Sequence, residues 1–193
     1  MDELATVPVL ADYARGFMRC AVHQETQWTY AIGDDEAENI ALVVLDANLQ
    51  VIATIETTVV PEDFDEDEYQ PIHDVAVHGD QVIVLTSDDH AEGSGLRLLD
   101  LDGRFLRTIA AGQFRNPRAF TASHGRAYVV DEADDDSGKV LHVIDIQSGD
   151  ILQRVTLELG GCLSTILVDG DEIYILSYDA NEVVVLQLAG SEA

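Results

Sequence analysis

The chain has 193 residues, of which 47% are hydrophobic; that is enough to bury one substantial core or a modest array of repeats and excludes wholesale disorder. Its 37 acidic residues face only 10 basic ones, with Lys139 the single lysine, for a formal net charge of −27. Such a surface repels phosphate backbones and anionic lipid headgroups, so neither nucleic acid nor a membrane surface is an expected partner. No apolar run approaches the ~18–20 residues that a membrane-spanning helix needs. The start, Met1-Asp2-Glu3-Leu4, lacks the basic and apolar segments of a secretory signal, and a cytoplasmic location is the expectation. The acidity itself has two readings. One is adaptation to high salt, where carboxylates hold water and screening relieves their repulsion; the other is ordinary acidity with Arg favoured over Lys. Cys20 and Cys162 are too few for a disulfide framework and are expected to be small buried hydrophobes.

Taken in order, Leu4–Leu10 is extended in character, and Pro8 confines it to a sheet edge. A first unit spans about 16–57, with strands at Phe17–Val22, Gln27–Ile32, Ile40–Leu45 and Leu49–Ile55, and a turn at His23–Thr26. The acidic run Pro61–Gln70 follows as a solvated loop, with Phe64 and Tyr69 as anchors. The second unit is the most regular. Pro71–Val77, Gln81–Ser87, Leu96–Leu101 and Arg104–Ile109 read as strands, joined by the turns His78-Gly79-Asp80 and Asp102-Gly103. The third repeats it with Arg118–Ser123, Ala127–Val130, Val140–Ile144 and Ile151–Leu157. The fourth has only three strands, Cys162–Val168, Glu172–Ser177 and Val183–Leu188.

The repeat has a register. His23, His78, His124 and Asp169 occupy equivalent turns, 55, 46 and 45 residues apart, and Asp46, Asp100 and Asp145 end the third strands. Four-stranded meanders recurring every ~40–50 residues are the signature of a β-propeller. The expected fold is therefore all-β, a single propeller domain over 1–193 with blades at about 16–57, 71–110, 117–157 and 161–190. Residues 4–10 are expected to supply the strand missing from the last blade, closing a four-bladed ring without exposed edges. A partial arc of a six-bladed propeller, or two four-blade arcs joined into one ring, are the rival architectures.

His78-Gly79-Asp80-Gln81-Val82-Ile83-Val84, followed by Leu96 to Phe105 with its Asp100-Leu101-Asp102-Gly103 ending, resembles an NHL-type propeller repeat. Pro117, Gly125, Asp145 and Gly149 repeat the pattern. The tripeptide that names that family is absent: Glu92-Gly93-Ser94-Gly95 and Asp136-Ser137-Gly138-Lys139 stand in its place. The resemblance implies a binding scaffold. It also admits a metal-dependent amidating lyase, to whose site no residue here corresponds.

Blade connectivity sorts loops onto two faces. One collects acids: Asp34, Asp35, Asp88, Asp89, Asp134, Asp135 and Asp136. It reads as a solvated rim suited to a protein partner with a basic surface, with Ca²⁺ as the cation such oxygens would take. The other face carries His23, His78, His124 and Asp169. If their turns converge, three imidazoles and a carboxylate suit Zn²⁺; turn chemistry explains the same residues without a metal. His73 and Asp74, on an inner strand, and Arg118, on the next, are candidates for a ligand site in the central channel, Arg118 for an anion. Trp28 is expected between blades. No nucleophile elbow, phosphate loop or zinc-protease motif occurs. The reading is a non-catalytic scaffold for protein interaction through the acidic face. The alternative is a metal-dependent lyase or hydrolase at the channel, and an open ring would permit a homodimer.

Overall fold

A computed structural model describes residues 17–34, 40–56, 72–87, 94–132, 138–177 and 180–187. These form fifteen strands in four antiparallel meanders. Blade one is β1 (Phe17–Val22), β2 (Thr29–Asp34), β3 (Ile40–Leu45) and β4 (Val51–Glu56). Blade two is β5 (Ile72–His78), β6 (Gln81–Thr86), β7 (Gly95–Asp100) and β8 (Phe105–Ile109). Blade three is β9 (Pro117–Ser123), β10 (Arg126–Glu132), β11 (Lys139–Asp145) and β12 (Ile151–Leu157). Blade four is β13 (Leu163–Asp169), β14 (Glu172–Ser177) and β15 (Glu182–Gln187). The four meanders are the blades of a β-propeller, as the repeat predicts. Leu4–Leu10 and Pro61–Gln70 lie outside the described residues.

The first strand of each blade is innermost: β1 packs on β5, β5 on β9 and β9 on β13. Successive side chains of a strand point to opposite faces, so each blade offers one apolar set to each neighbour. Tyr30, Ile32, Leu42 and Val44 of blade one meet Val75, Val82, Val84 and Leu99 of blade two. Ile83, Leu85, Leu96 and Leu98, on blade two's other face, meet Phe120, Ala127, Val129 and Ile144 of blade three. Tyr128, Val130, Leu141 and Val143 meet Ile166, Ile173 and Ile175 of blade four. The core is thus three slabs between sheets rather than one centre. Trp28 packs against the first slab, between blades as expected.

The turns joining third and fourth strands follow one plan. Asp46 Oδ1 accepts from the backbone N–H of Asn48 and Gln50, both at 2.8 Å. Asp100 Oδ1 accepts from Arg104 N–H at 2.8 Å, and Asp145 Oδ1 from Ser148 N–H at 2.7 Å. The carboxylate replaces the backbone acceptor that a turn lacks. Each turn also needs one left-handed residue, filled by Leu49 (φ 59°), Gly103 (φ 83°) and Gly149 (φ 82°). Leu49 therefore ends the turn, and the fourth strand begins two residues later than the apolar pattern predicts. At Gly103 the backbone abuts blade one: a Cβ there would lie 2.1 Å from Ile55 Cδ1. Gly149 meets Ile109 of blade two in the same way, at 3.0 Å from its Cγ2.

Both cysteines are exposed, contrary to expectation. Cys20 pairs with Ala31 in the ladder, which puts it on the face of blade one that looks away from blade two. Apolar alternation alone does not tell a covered strand face from an open one.

Candidate functional site

Every inner strand is bulged at the same point. Opposite the second strand, Phe17 and Arg19 pair with consecutive residues Gly33 and Ile32, which leaves Met18 extra. The extra residue is His73 in β5, Arg118 in β9 and Ser164 in β13. A bulge leaves one residue out of the ladder, bends the strand and re-aims the side chains beside it. Here four bulges recur at the start of each inner strand, the end away from the turns that hold His23, His78, His124 and Asp169.

Two channel candidates from the sequence, His73 and Arg118, are therefore structurally equivalent. Their charges are close enough to interact: burial first, and the Arg118 guanidinium second, hold the His73 imidazole below its ordinary pKa. His73 Nε2 and Ser87 Oγ, just beyond β6, share a hydrogen bond. Arg118 Nε donates to Glu132 Oε2 at 2.9 Å. Glu132 also accepts from Asn116 Nδ2 at 3.0 Å and lies 3.7 Å from Lys139 Nζ. The single lysine is thus buried at the same end. The guanidinium fork of Arg118 has donors beyond Nε for a ligand acceptor.

Asp74, next to the bulge, does something else. It is buried, and its Oδ1 accepts from Val75 N–H at 2.9 Å and its Oδ2 from Phe120 N–H at 3.2 Å, while Arg19 Nε of blade one lies 3.8 Å away. One carboxylate thereby joins the inner strands of three blades. Burial raises its pKa to about 6, against the two backbone hydrogen bonds and Arg19, which lower it. Asp131 plays a related part between blades two and three. It accepts from Arg115 N–H at 3.1 Å and Asn116 N–H at 2.7 Å, and it lies 3.7 Å from His142 Nε2.

Sequence reasoning missed Ser87, Asn116, Arg19 and Glu132 as neighbours of the site. Their signal was weak: each is a single polar residue at a strand end, and the bulges that align them are invisible in a spacing of 55, 45 and 46.

The turn residues occupy the opposite end of the blades. His23 is buried, bonded through Nδ1 to Thr26 Oγ1 at 2.8 Å, with Nε2 3.8 Å from Asp80. His124 sits in the left-handed region (φ 51°) and contacts Ser123 Oγ through Nδ1 at 3.0 Å. His78 is half-buried and Asp169 exposed. Among the described residues no group of three or more His, Cys, Asp or Glu is placed to hold a metal ion. Of the acidic face, Asp35, Asp88, Asp89, Asp134, Asp135 and Asp136 lie outside the described residues; Asp34 ends β2.

No family model matches the sequence, and no curated protein resembles it. Solved structures match its fold. The Dos1 propeller superposes with a TM-score of 0.58 at 12% identity, over 89% of this chain and 45% of its own. BamB from Moraxella catarrhalis gives 0.55 at 16% identity, over 89% and 47%. A structure of the nidogen/laminin complex gives 0.50 at 12%, over 90% and 76%. The fold is a β-propeller. This chain spans about half the length of the Dos1 and BamB chains it matches.

Proposed function

We propose that this propeller is a non-catalytic scaffold that binds a protein partner on the loop face to which its inner-strand bulges point. The observation that carries the reading is the recurrence of one bulge in all four inner strands, at His73, Arg118 and their equivalents. At the inner strands the extra residue is polar in three of the four blades, His73, Arg118 and Ser164, and a bulge re-aims such a side chain out of the ladder, where a partner can reach it. The acids of the surrounding loops supply the rim: with net charge −27 they recruit a basic partner and speed its encounter. Arg118 and the neutral His73–Ser87 pair at the centre take a carbonyl or carboxylate of that partner, which sets its register. The repeat grammar resembles the NHL type, whose members serve mostly as scaffolds, and a propeller neighbour solved in complex with laminin is a precedent.

The test uses an octalysine peptide as probe, followed by calorimetry at low salt. Replacing Asp88, Asp89, Asp134, Asp135 and Asp136 by Asn is expected to weaken binding at least ~10-fold. Replacing Glu25, Asp102 and Asp171, exposed in turns at the other end, by their amides is expected to change it less than ~2-fold. Equal losses from the two sets would show unspecific charge attraction and overturn the reading.

A further inference from the structure

The bulges of β5 and β9 lie close together. These inner strands pack on each other, and Asp74 Oδ2, accepting from Phe120 N–H at 3.2 Å, ties them one residue past the bulge of β5 and two past that of β9. His73 and Arg118, the extra residues, are thereby held side by side. What fixes Arg118 is Glu132. Its Oε2 accepts from Arg118 Nε at 2.9 Å and from Asn116 Nδ2 at 3.0 Å, and its Oε1 lies 3.7 Å from Lys139 Nζ. Two cations share that one carboxylate, so one positive charge is left over in a chain whose net charge is −27. Lys139 is buried, whereas the Arg118 side chain is 46% exposed, and the surplus charge is therefore offered to solvent by Arg118.

The donors that remain name the ligand. With Nε on Glu132, the two Nη groups of Arg118 are the edge of the fork left to use, and their spacing matches the two oxygens of a carboxylate. At His73, Ser87 Oγ engages Nε2, which leaves Nδ1 as a further donor. A singly charged group balances the surplus, whereas a doubly charged phosphate would add to the repulsion of an acidic chain. We propose that Arg118 and His73 seat a carboxylate, held by the two Nη groups of the one and Nδ1 of the other. This rests on the reading that the bulges open onto a binding surface, and adds the chemical group recognised there. Its arrival brings a proton to His73. In the free protein burial, and then the Arg118 guanidinium, hold the imidazole below its ordinary pKa; a carboxylate beside both offsets the guanidinium and favours imidazolium. The other charged groups around this pair, among the described residues, are already partnered: Asp74 with the Val75 and Phe120 N–H groups and Arg19, and Glu132 as above.

A small acid and the C-terminus of a bound chain both carry this group, and two probes tell them apart at about pH 6 and low salt. N-acetylglycine is expected to shift the His73 ring signals in NMR titration and to bind at least ~10-fold more weakly to Arg118→Gln if the ligand is a small acid. Octalysine with a free C-terminus is expected to bind about 10-fold more tightly than octalysine amide, with the gap closing in Arg118→Gln, if it is a chain end. Neither response overturns the inference; octalysine amide that still binds through the loop acids would leave the scaffold reading standing without it. A second measurement needs no change at Arg118. Affinity for the probe that binds is expected to fall about 10-fold from about pH 5.5 to 7.5, to keep that dependence in Asp74→Asn and to lose it in His73→Gln. A dependence that follows Asp74 instead overturns the part given to His73.

Discussion

At the scale of single residues, two buried groups make opposite predictions. Asp74 has a folded pKa of about 6 against an ordinary 3.8, because burial outweighs its hydrogen bonds. The folded state therefore holds the proton more tightly than the unfolded one. Stability from this group is greatest below pH 4, declines as pH rises through 6 and is flat above. The gap corresponds to roughly 3 kcal/mol. Asp74→Asn cannot ionise, so the stability of the variant relative to the parent is expected to rise by about that amount between pH 4 and pH 7. Urea unfolding at the two pH values reads it, and parallel curves would show that Asp74 is already solvated. Tyr128 carries the other prediction. Its hydroxyl is buried without a hydrogen-bond partner among the described residues, so Tyr128→Phe is expected to raise the unfolding free energy by about 1 kcal/mol. A loss instead would reveal a partner for the hydroxyl.

At the scale of elements, turns and bulges govern how blades meet. Gly103 is held in the left-handed region with Ile55 directly against it. Gly103→Ala is expected to cost about 2 kcal/mol or more, from backbone strain and displacement of Ile55. Ile55→Val removes the nearest carbon, so the double variant is expected to lose less than the sum of the two single changes; full additivity in a thermal-melt cycle would mean that the cost is all backbone. The outer strands are bulged as well. Ile52, Leu106 and Leu152 are the extra residues of β4, β8 and β12, and all three are exposed. These apolar side chains are turned out of the ladder on the strands that would otherwise offer flat edges to other chains.

At the scale of the whole molecule, 37 acids against 10 bases set the conditions under which the propeller holds. Self-repulsion destabilises a compact state, and salt screens it. The melting temperature is expected to rise steadily from about 0.1 to 2 M KCl. A flat response would mean that the carboxylates sit far enough apart to ignore one another.

Much of the architecture was legible in the chain. Period-two alternation, X-Gly turns and the aspartates at 46, 100 and 145 are local signals, and short-range backbone and turn chemistry make them so. They were sufficient for the blades and their order. The candidate site was legible only as isolated residues. His73 and Arg118 stood out as polar groups on inner strands, but one extra residue per strand aligns them, and a bulge leaves no mark on an apolar pattern. Asp74 looked like a companion of His73 and proved a buried tie between three blades, because facing is decided by register. The exposure of Cys20, and of Leu167 and Val185, is likewise a property of packing: β-branched and aliphatic residues look the same in a covered face and an open one. Alternation along the chain determined that these strands have two apolar faces; only the tertiary structure decided which of those faces have a neighbour, since burial depends on what lies across the slab and not on the strand itself.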